Sequence, residues 1–252
     1  MLSLKARCIG LSMAVVFSQP AAALDTPSCP LNTGMLVLSC DQSISVNLRV
    51  LPDEITQSPE HLLTVAGTYS SGDRFGIEGL VIKDGVQISR RYQNWDGVLI
   101  IEPSGVPNLY RADNVMLGDI TYNLKDSVSR NAFIEKALED RLTVMQSHLL
   151  ISDGQLDLKD VPDAPKFKRR LFVTLPNGNF GIWETDISET LYSAALQLQE
   201  DLQPHMALNL DMGAYDYCQK GPVGAQSDCG RLLVSKDKLT NVLEFSHKKV
   251  NQ

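Results

Sequence analysis

Short apolar runs separated by turn residues fill the middle of the sequence. Three turn dipeptides each lie between two apolar runs: Asp84-Gly85, Asp153-Gly154 and Asn177-Gly178. Such dipeptides accept positive φ at both central positions of a two-residue hairpin, so they predict antiparallel strand pairs. Further strand candidates are residues 35–39, 45–50, 63–69, 97–102 and 205–210. The pattern therefore predicts a strand-rich chain.

Two segments have a helical period instead. In residues 131–146 the apolar positions recur at steps of three and four: Phe133, Ile134, Ala137, Leu138, Leu142 and Met145. Residues 188–202 carry a second stripe: Leu191, Ala194, Ala195, Leu198 and Leu202. Asp186 followed by Glu189 predicts a capping pair at the start of the second helix, and Pro204 blocks its continuation.

Strands and helices that mix without regular alternation favour the α+β class, a mixed α/β arrangement. We expect a strand-rich mixed sheet with hairpins, packed by at least two amphipathic helices. The chain has 252 residues, of which 43% are apolar and 21% charged, which suits one sizeable core. We expect residues 24–252 to form a single domain and the segment after Cys218 to be a short terminal appendage.

The first residues are typical of a signal peptide. Lys5 and Arg7 precede the apolar residues 8–17, and Ala21-Ala22-Ala23 gives a small-residue cleavage pattern. We predict cleavage after residue 23 and export to the periplasm or the medium; the alternative is a buried N-terminal helix. No other apolar run approaches the ~18 residues of a membrane span, so no integral membrane segment is expected after signal removal.

Four cysteines remain after signal removal, in two pairs with ten residues between the members of each: Cys29, Cys40, Cys218 and Cys229. In an oxidising compartment an even set predicts disulfides, and short loops favour Cys29–Cys40 and Cys218–Cys229. The rival interpretation, a four-cysteine zinc site, lacks the tight two-residue spacing of zinc knuckles. We therefore predict no metal.

The formal net charge of −7 is the wrong sign for a nucleic-acid-binding protein. The four histidines have no metal-ligand spacing, and the nucleophile-elbow, phosphate-loop and dinucleotide motifs are missing from the sequence. No cofactor is predicted, and the oligomeric state stays open.

The strand candidate MALNLD carries the strongest chemical signal. It alternates Met206, Leu208 and Leu210 with Ala207 and Asn209. Asp211 follows where the chain turns toward Gly213, so we expect an exposed carboxylate at the lip of a strand. The alternative is a turn aspartate that caps its own backbone.

Two further segments could contact a ligand. Residues 166–170 hold four basic residues, of which Arg170 is best placed to grip a phosphate; the alternative is a solvated edge. In residues 63–69, the small Gly67 before Tyr69 would let a loop pack close to a ligand, although a plain hairpin explains it too.

Taken in order, AGTYSS, EGLVIKDG, MQSHLLISDG, KRRLFV and MALNLDMG resemble the consecutive motifs of the phosphodiester glycosidase family. These are bacterial relatives of the enzyme that removes N-acetylglucosamine from a phosphodiester to uncover mannose 6-phosphate. The resemblance is strongest over residues 63–215. Val65 stands where the family has asparagine, Ser147-His148 replaces a small pair, and Met212 interrupts a double glycine.

The resemblance implies an exported hydrolase that cleaves a glycosyl phosphodiester in an envelope or extracellular glycan. It implies catalytic roles for Asp211 and Arg170, with Glu78 as a second carboxylate and His148 as a proton-transfer group. The implied substrate-binding residues are Gly67, Tyr69, Ser147, Arg169, Asn209, Gly213 and Tyr215, and Trp183 is a further candidate for sugar stacking. The departures keep open a non-catalytic carbohydrate- or envelope-binding protein, or a secreted interaction protein.

Overall fold

The computed structural model describes residues 34–40, 43–51, 59–71 and 76–248. The predicted signal peptide and Cys29 lie outside these residues, so the signal peptide and the Cys29–Cys40 bridge stay predictions. The described residues include no helix that is long and apolar enough to cross a membrane.

Eighteen strands form within the described residues. They are β1 (Met35–Ser39), β2 (Ile44–Val50), β3 (His61–Ala66), β4 (Gly79–Lys83), β5 (Val86–Arg91), β6 (Gly97–Ile101), β7 (Pro107–Arg111), β8 (Val115–Leu117), β9 (Ile120–Tyr122), β10 (Thr143–Ser147), β11 (Leu149–Ser152), β12 (Gln155–Leu156), β13 (Arg170–Thr174), β14 (Phe180–Glu184), β15 (Met206–Asn209), β16 (Cys218–Lys220), β17 (Ser227–Asp228) and β18 (Asn241–His247). The α-helices are α1 (Ser127–Glu139) and α2 (Leu191–Leu202), and two short 3-10 helices cover Gly213–Tyr215 and Lys236–Lys238.

The strands pair into four sheets. A six-stranded sheet has the order β1-β14-β13-β15-β11-β12, and two five-stranded sheets have the orders β5-β4-β10-β6-β7 and β17-β16-β3-β18-β2. The pair β8-β9 forms the fourth sheet. Every strand pair in the four sheets is antiparallel.

The central core lies where the three large sheets meet, and each of them contributes buried side chains such as Phe172, Leu99 and Leu243. Phe133 of α1 packs in a second cluster with apolar residues of the β4-β10-β6 sheet. Leu198 of α2 packs in a third cluster with residues of the six-stranded sheet. Each helix thus covers one sheet on a side separate from the central core.

The predicted fold class was wrong, because the chain is mostly β. Neither a mixed sheet nor an α+β balance forms: the sheets are separate and antiparallel, and the described residues contain only two α-helices. The physical reason is connection length. A parallel pair needs a crossover of about a dozen residues, usually a helix, whereas most strands here are joined by short turns.

The helix predicted over residues 131–146 was wrong at its C-terminal end. Helix α1 begins after Asp126, whose carboxylate accepts a hydrogen bond from the Ser129 N–H, and it ends before Arg141, which has a φ of 55°. Met145 instead lies in β10, whose five residues are all buried. A strand buried on both faces has no period of two, so its apolar residues extended the helical pattern.

Helix α2 forms close to its predicted position, but with a different cap. The Thr190 hydroxyl, and neither Asp186 nor Glu189, accepts from the Ser193 N–H at 3.0 Å. Gln203 ends the helix in the left-handed region with a φ of 47°, ahead of Pro204.

Two of the three predicted hairpin turns have the expected geometry. Asp84-Gly85 and Asp153-Gly154 have positive φ at both positions and join strands that pair directly. Residues 175–179 instead make a five-residue loop between β13 and β14, closed by a hydrogen bond from the Leu175 N–H to the Asn179 carbonyl.

The segment after Cys218 is more than an appendage. Its last strand, β18, lies between β3 and β2, and both Leu243 and Phe245 are fully buried in the central core. The predicted Cys218–Cys229 disulfide is confirmed, with 4.9 Å between the Cα atoms.

Candidate functional site

Three strand ends meet at one point of the molecule, although they lie far apart in sequence. The Asp211 N–H, after β15, donates to the Gly67 carbonyl, after β3, at 2.7 Å. The Asn209 N–H donates to the carbonyl of His148, which follows β10, at 2.9 Å. Backbone hydrogen bonds therefore connect residues that the sequence singled out: Asp211 with Gly67, and Asn209 with His148.

Gly67 is required at this junction for space. A Cβ at this position would stand 2.1 Å from the Asn241 side-chain oxygen. That oxygen accepts the Thr68 N–H, and the Asn241 amide donates to the Thr68 carbonyl at 2.9 Å. Gly67 thus supports the site by allowing β18 to hold the backbone ahead of Tyr69, which is a different role from direct ligand contact.

An aromatic cluster, Tyr69, Trp95 and His148, forms one side of the site. The ring centroids of Tyr69 and Trp95 are 5.0 Å apart, those of Trp95 and His148 are 5.0 Å apart, and those of Tyr69 and His148 are 5.7 Å apart. Burial lowers the pKa of the His148 imidazole, and the nearby Asp96 carboxylate opposes that change. Burial therefore favours the neutral form of the His148 ring.

Gln146 fixes the loop that carries Trp95. Its amide nitrogen donates to the Gln93 and Trp95 carbonyls at 2.7 and 3.0 Å, and its oxygen accepts from the Leu80 and Gln93 N–H groups, each at 3.1 Å. Through these four hydrogen bonds the fully buried Gln146 side chain holds Trp95 in place.

The aromatic cluster opens into a cleft of about 530 Å³. Its apolar lining comes from residues 158–167 and the start of α2: Leu158, Val161, Ala164, Pro165, Phe167 and Leu191. Lys159, Arg169, Thr190 and Tyr192 also contribute to the lining. Of the described residues that line the cleft, none carries a carboxylate.

Tyr69 links the cleft to the polar residues behind it. The Asn209 amide nitrogen donates to the Tyr69 hydroxyl, and the Asn209 side-chain oxygen is buried with no hydrogen-bond partner in the described part of the chain. Burial holds the pKa of the Tyr69 hydroxyl well above its ordinary value, so the group stays protonated. Tyr69 also interacts electrostatically with both Asp211 and Arg169.

Asp211 is buried, contrary to the expected exposed lip: only 5% of its surface is accessible. Its carboxylate accepts the Ser70 N–H at 2.9 Å, a contact across 141 residues that a local turn cap does not make. Burial raises the pKa of the Asp211 carboxyl to about 6, although hydrogen bonds from Ser70 and the Met212 backbone favour its ionised form. A carboxylate of this kind is suited to proton transfer near neutral pH.

Arg169 supplies the guanidinium that lines the cleft. Its Nε donates to the Glu189 carbonyl at 2.9 Å and one Nη donates to the Pro165 carbonyl at 2.7 Å. Its other Nη has no hydrogen-bond partner within the described residues. The guanidinium also lies 5.2 Å from the centre of the Phe167 ring.

Arg170, the residue predicted to grip a phosphate, is fully buried in an ion network. Its guanidinium bonds to Glu184, lies 3.0 Å from an Asp216 carboxylate oxygen and donates to the Tyr217 carbonyl at 3.0 Å. We call Arg170, Glu184 and Asp216 the Arg170 network. Two carboxylates already occupy the place that a phosphate would need.

The structure places three other predicted residues outside the cleft lining. Glu78 pairs with Arg91 at 2.9 Å and accepts from the Gln93 amide at 2.7 Å. Ser147 is fully buried, and its hydroxyl donates to the Asn209 carbonyl at 2.6 Å. Tyr215 is half-buried beside a separate apolar cluster.

Two further predicted residues, Trp183 and Gly213, also lie outside the cleft lining and have structural roles. Trp183 is fully buried in the cluster beneath α2 and does not line the cleft. Gly213 has a φ of 72°, and a Cβ there would stand 3.6 Å from the Phe167 ring, so this glycine turns the chain behind the cleft.

Sequence reasoning missed Trp95 and the part of residues 157–168 that lines the cleft. Trp95 is one of only two tryptophans and lies in the polar segment QNWDG, which was a usable signal. Residues 157–168 read as an ordinary loop because nothing local distinguishes a cleft wall from a surface loop. Among the residues described, no group of three or more His, Cys, Asp or Glu side chains is arranged to hold a metal ion.

The architecture and this site define a mostly-β, multi-sheet scaffold with a cleft at the ends of its strands. The chain shares that fold with the catalytic domain of zebrafish N-acetylglucosamine-1-phosphodiester alpha-N-acetylglucosaminidase, auto-inhibited by its pro-peptide. The TM-score is 0.51 at 14% identity, and the match covers 82% of this chain and 74% of the zebrafish chain. The likeness shows a shared fold.

A hypothetical protein from Synechocystis is similar to the same degree, with a TM-score of 0.51 and 12% identity. The match covers 82% of this chain and 57% of the cyanobacterial chain, so this chain spans little more than half of that protein's length. No protein-family model and no curated protein matches the sequence.

Proposed function

We propose that this protein is an exported hydrolase that cleaves a glycosyl phosphodiester at the cleft lined by the aromatic cluster. The observation that carries the proposal is the buried Asp211 carboxylate with its raised pKa, close to Tyr69, whose hydroxyl also interacts with Arg169. The fold shared with a phosphodiester glycosidase catalytic domain supports the same chemistry.

The proposed step transfers the sugar to water. Ionised Asp211 accepts a proton from a water molecule as the water oxygen forms a bond to the anomeric carbon. The bond between that carbon and the phosphate oxygen breaks, and its electron pair leaves with the phosphate monoester. This leaving group needs little protonation, so a guanidinium that neutralises its charge supplies the remaining assistance.

Arg169 takes the phosphate role in this proposal, in place of Arg170. Arg169 lines the cleft and has a free Nη among the described residues, whereas the Arg170 guanidinium is bound by Glu184 and Asp216. Tyr69 and Trp95 offer faces on which a sugar ring packs. The His148 imidazole, whose neutral form burial favours, can exchange a proton with a substrate hydroxyl.

One observation favours a second candidate, a non-catalytic carbohydrate-binding protein on the same scaffold. Asp211 is 5% exposed and lies outside the set of residues that line the cleft. A binding protein needs only the aromatic cluster and Arg169, and it keeps its affinity when the carboxylate is removed.

Hydrolysis of a chromogenic sugar-1-phosphodiester by the purified protein, with and without Asp211→Asn, distinguishes the two. The hydrolase proposal expects kcat to fall by about a thousandfold or more, because the base is lost while the shape is kept. It also expects the wild-type rate to rise with pH through about 6, as Asp211 ionises. Turnover that survives in Asp211→Asn contradicts the proposal, and binding without any turnover supports the second candidate.

One variant serves as a control, and a second tests the phosphate contact. Asp119→Asn removes an exposed carboxylate of the β8-β9 turn and should leave turnover unchanged. Arg169→Lys keeps the charge but loses the planar guanidinium, so we expect a loss of about a hundredfold in kcat/KM, chiefly through phosphate contacts.

A further inference from the structure

The cleft joins two chemically different surfaces. One is cationic: Arg169 lines it, and the exposed Lys159 lines its rim. The other, which we call the apolar wall, consists of Leu158, Val161, Phe167 and Leu191. Because the described residues lining the cleft include no carboxylate, the charge of the lining is positive.

Two large side chains of the apolar wall are exposed to solvent. Val161 is 59% exposed and Phe167 is 44% exposed, and both lie beside a cleft large enough for a small molecule. A purely hydrophilic sugar phosphate would leave these side chains in contact with water. An apolar group bound against them would remove that surface from water.

The apolar wall is held in place before any ligand binds. Phe167 exchanges two backbone hydrogen bonds with Glu189, at 3.1 and 2.8 Å, and Arg169 holds the Pro165 carbonyl. At the other end of the segment, Asp157 is paired with Arg111 and its N–H donates to the Leu150 carbonyl. A wall fixed in this way binds an apolar group with little ordering cost.

We propose that the cleft binds an anionic amphiphile: a phosphate or phosphodiester that carries an apolar chain, with its charge at Arg169 and its chain along Leu158, Val161 and Phe167. This inference rests on the proposed function for the identity of the anionic end. It names the substrate class as one in which the alcohol on the phosphate is apolar rather than a hydrophilic glycan.

The test is isothermal titration calorimetry of the full protein with alkyl phosphates of increasing length, from ethyl to octyl, below their micelle concentrations. Each methylene buried on the wall should tighten binding by about two- to fourfold, so octyl phosphate should bind at least about tenfold tighter than butyl phosphate. Quenching of Trp95 fluorescence reports the same site, because Trp183, the other tryptophan, is fully buried elsewhere.

A matched pair of variants tests where the alkyl chain of the ligand binds. Val161→Asp places a charge on the apolar wall and should abolish most of the dependence on chain length. Val86→Asp makes the same change at a residue of similar exposure, 61%, on the β5 hairpin and should leave it intact. Both sites are solvent-exposed, and thermal unfolding of the two variants checks that each is folded.

A ligand without the anion separates the contribution of the phosphate to affinity from that of the alkyl chain. Octanol lacks the anion and should bind at least about tenfold more weakly than octyl phosphate. Equal affinities for butyl and octyl phosphate, or equal effects of the two aspartate variants, overturn the inference. Chain-length dependence without hydrolysis contradicts only the hydrolase proposal, and hydrolysis without chain-length dependence contradicts only this inference.

Discussion

Arg169 and Arg170 are adjacent in sequence, yet their guanidinium groups belong to two different regions of the molecule. Arg169 lines a cleft and is bound mainly by backbone carbonyls, so one Nη stays free among the described residues. Arg170 lies in the interior and is neutralised by Glu184 and Asp216. Side chains of successive residues in an extended chain point to opposite sides. This is why Arg169 faces the cleft while its neighbour Arg170 faces the interior.

The carboxylates of the two regions differ as well. Glu184 and Asp216 each face a cation, whereas Asp211 accepts a backbone N–H and has no cation bonded to it among the described residues. A buried charge without a partner is costly, and such costs are concentrated at functional sites. In the Arg170 network each buried charge has a partner, so the loss of one charge is costly. Ionised Asp211 lowers stability where the proposed chemistry needs a proton acceptor.

The largest expected effect comes from Arg170→Ala. The change leaves Glu184 and Asp216 without their buried cation, so the free energy of unfolding should fall by about 3–5 kcal/mol. Urea unfolding followed by circular dichroism measures it. Lys168→Ala is the matched control: Lys168 also bonds Glu184, at 2.9 Å, but is 42% exposed and should cost less than about 1 kcal/mol. Equal losses for the two variants would remove the distinction between the network and the surface.

Removal of the Cys218–Cys229 disulfide should come next. The closed loop is short, so the double variant Cys218→Ala, Cys229→Ala should lose about 3 kcal/mol of unfolding free energy. Residues just after the bridge support the network, since the Arg231 N–H donates to Asp216 at 3.0 Å. The affinity of the cleft should be unchanged, and a drop in Trp95-reported binding would show that the two regions are coupled.

Asp211→Asn should stabilise the protein while it removes the proposed activity. The folded pKa of Asp211, about 6, lies above its unfolded value, so the folded state binds the proton more tightly. Ionisation therefore costs folding energy that is absent below pH ~4, grows between ~4 and ~6, and amounts to about 2–3 kcal/mol at pH 7. Asparagine does not ionise, so the gain should appear at pH 7 and vanish at pH 4. Urea unfolding at both pH values decides this, and a variant less stable at pH 7 would contradict it.

The smallest expected effect concerns His148. Burial lowers the pKa of its imidazole, so its ring protons should titrate below the ordinary range in a proton NMR experiment. Asp96→Asn removes the carboxylate that opposes this effect and should lower the His148 pKa further. An increase in the variant would show that Asp96 acts through the position of Trp95 instead of through its charge.

Local patterns predicted several elements because their causes are local. Asp84-Gly85 sets the φ angles of its own hairpin, and the alternation of residues 206–210 places Leu208 in the central core and Ala207 in the cluster under α2. The division into separate sheets depends on pairing between distant strands, such as β2 with β18, and no local pattern encodes it. This is why the fold class was wrong while many single strands were correct.

For the candidate site too, the sequence predicted some residues and missed others whose position depends on distant contacts. The sequence drew attention to Asp211, Tyr69 and His148, which the structure brings close together. It assigned the phosphate to Arg170 instead of Arg169, because alternation tells which residues face opposite sides but not which side holds the cleft. Trp95 was missed because Gln146, fifty-one residues away, holds it there.

Strand β18 sits in the middle of its sheet, between two strands that are made long before it. Its partner residues in β2, such as Arg49 opposite Val242, are synthesised almost two hundred residues earlier. Until β18 arrives, β2 and β3 have no neighbour to join them, and each exposes backbone groups that attract any other extended chain. This sheet cannot close until all the residues from β2 to β18 have been made, so chaperone dependence during synthesis should be concentrated in that interval.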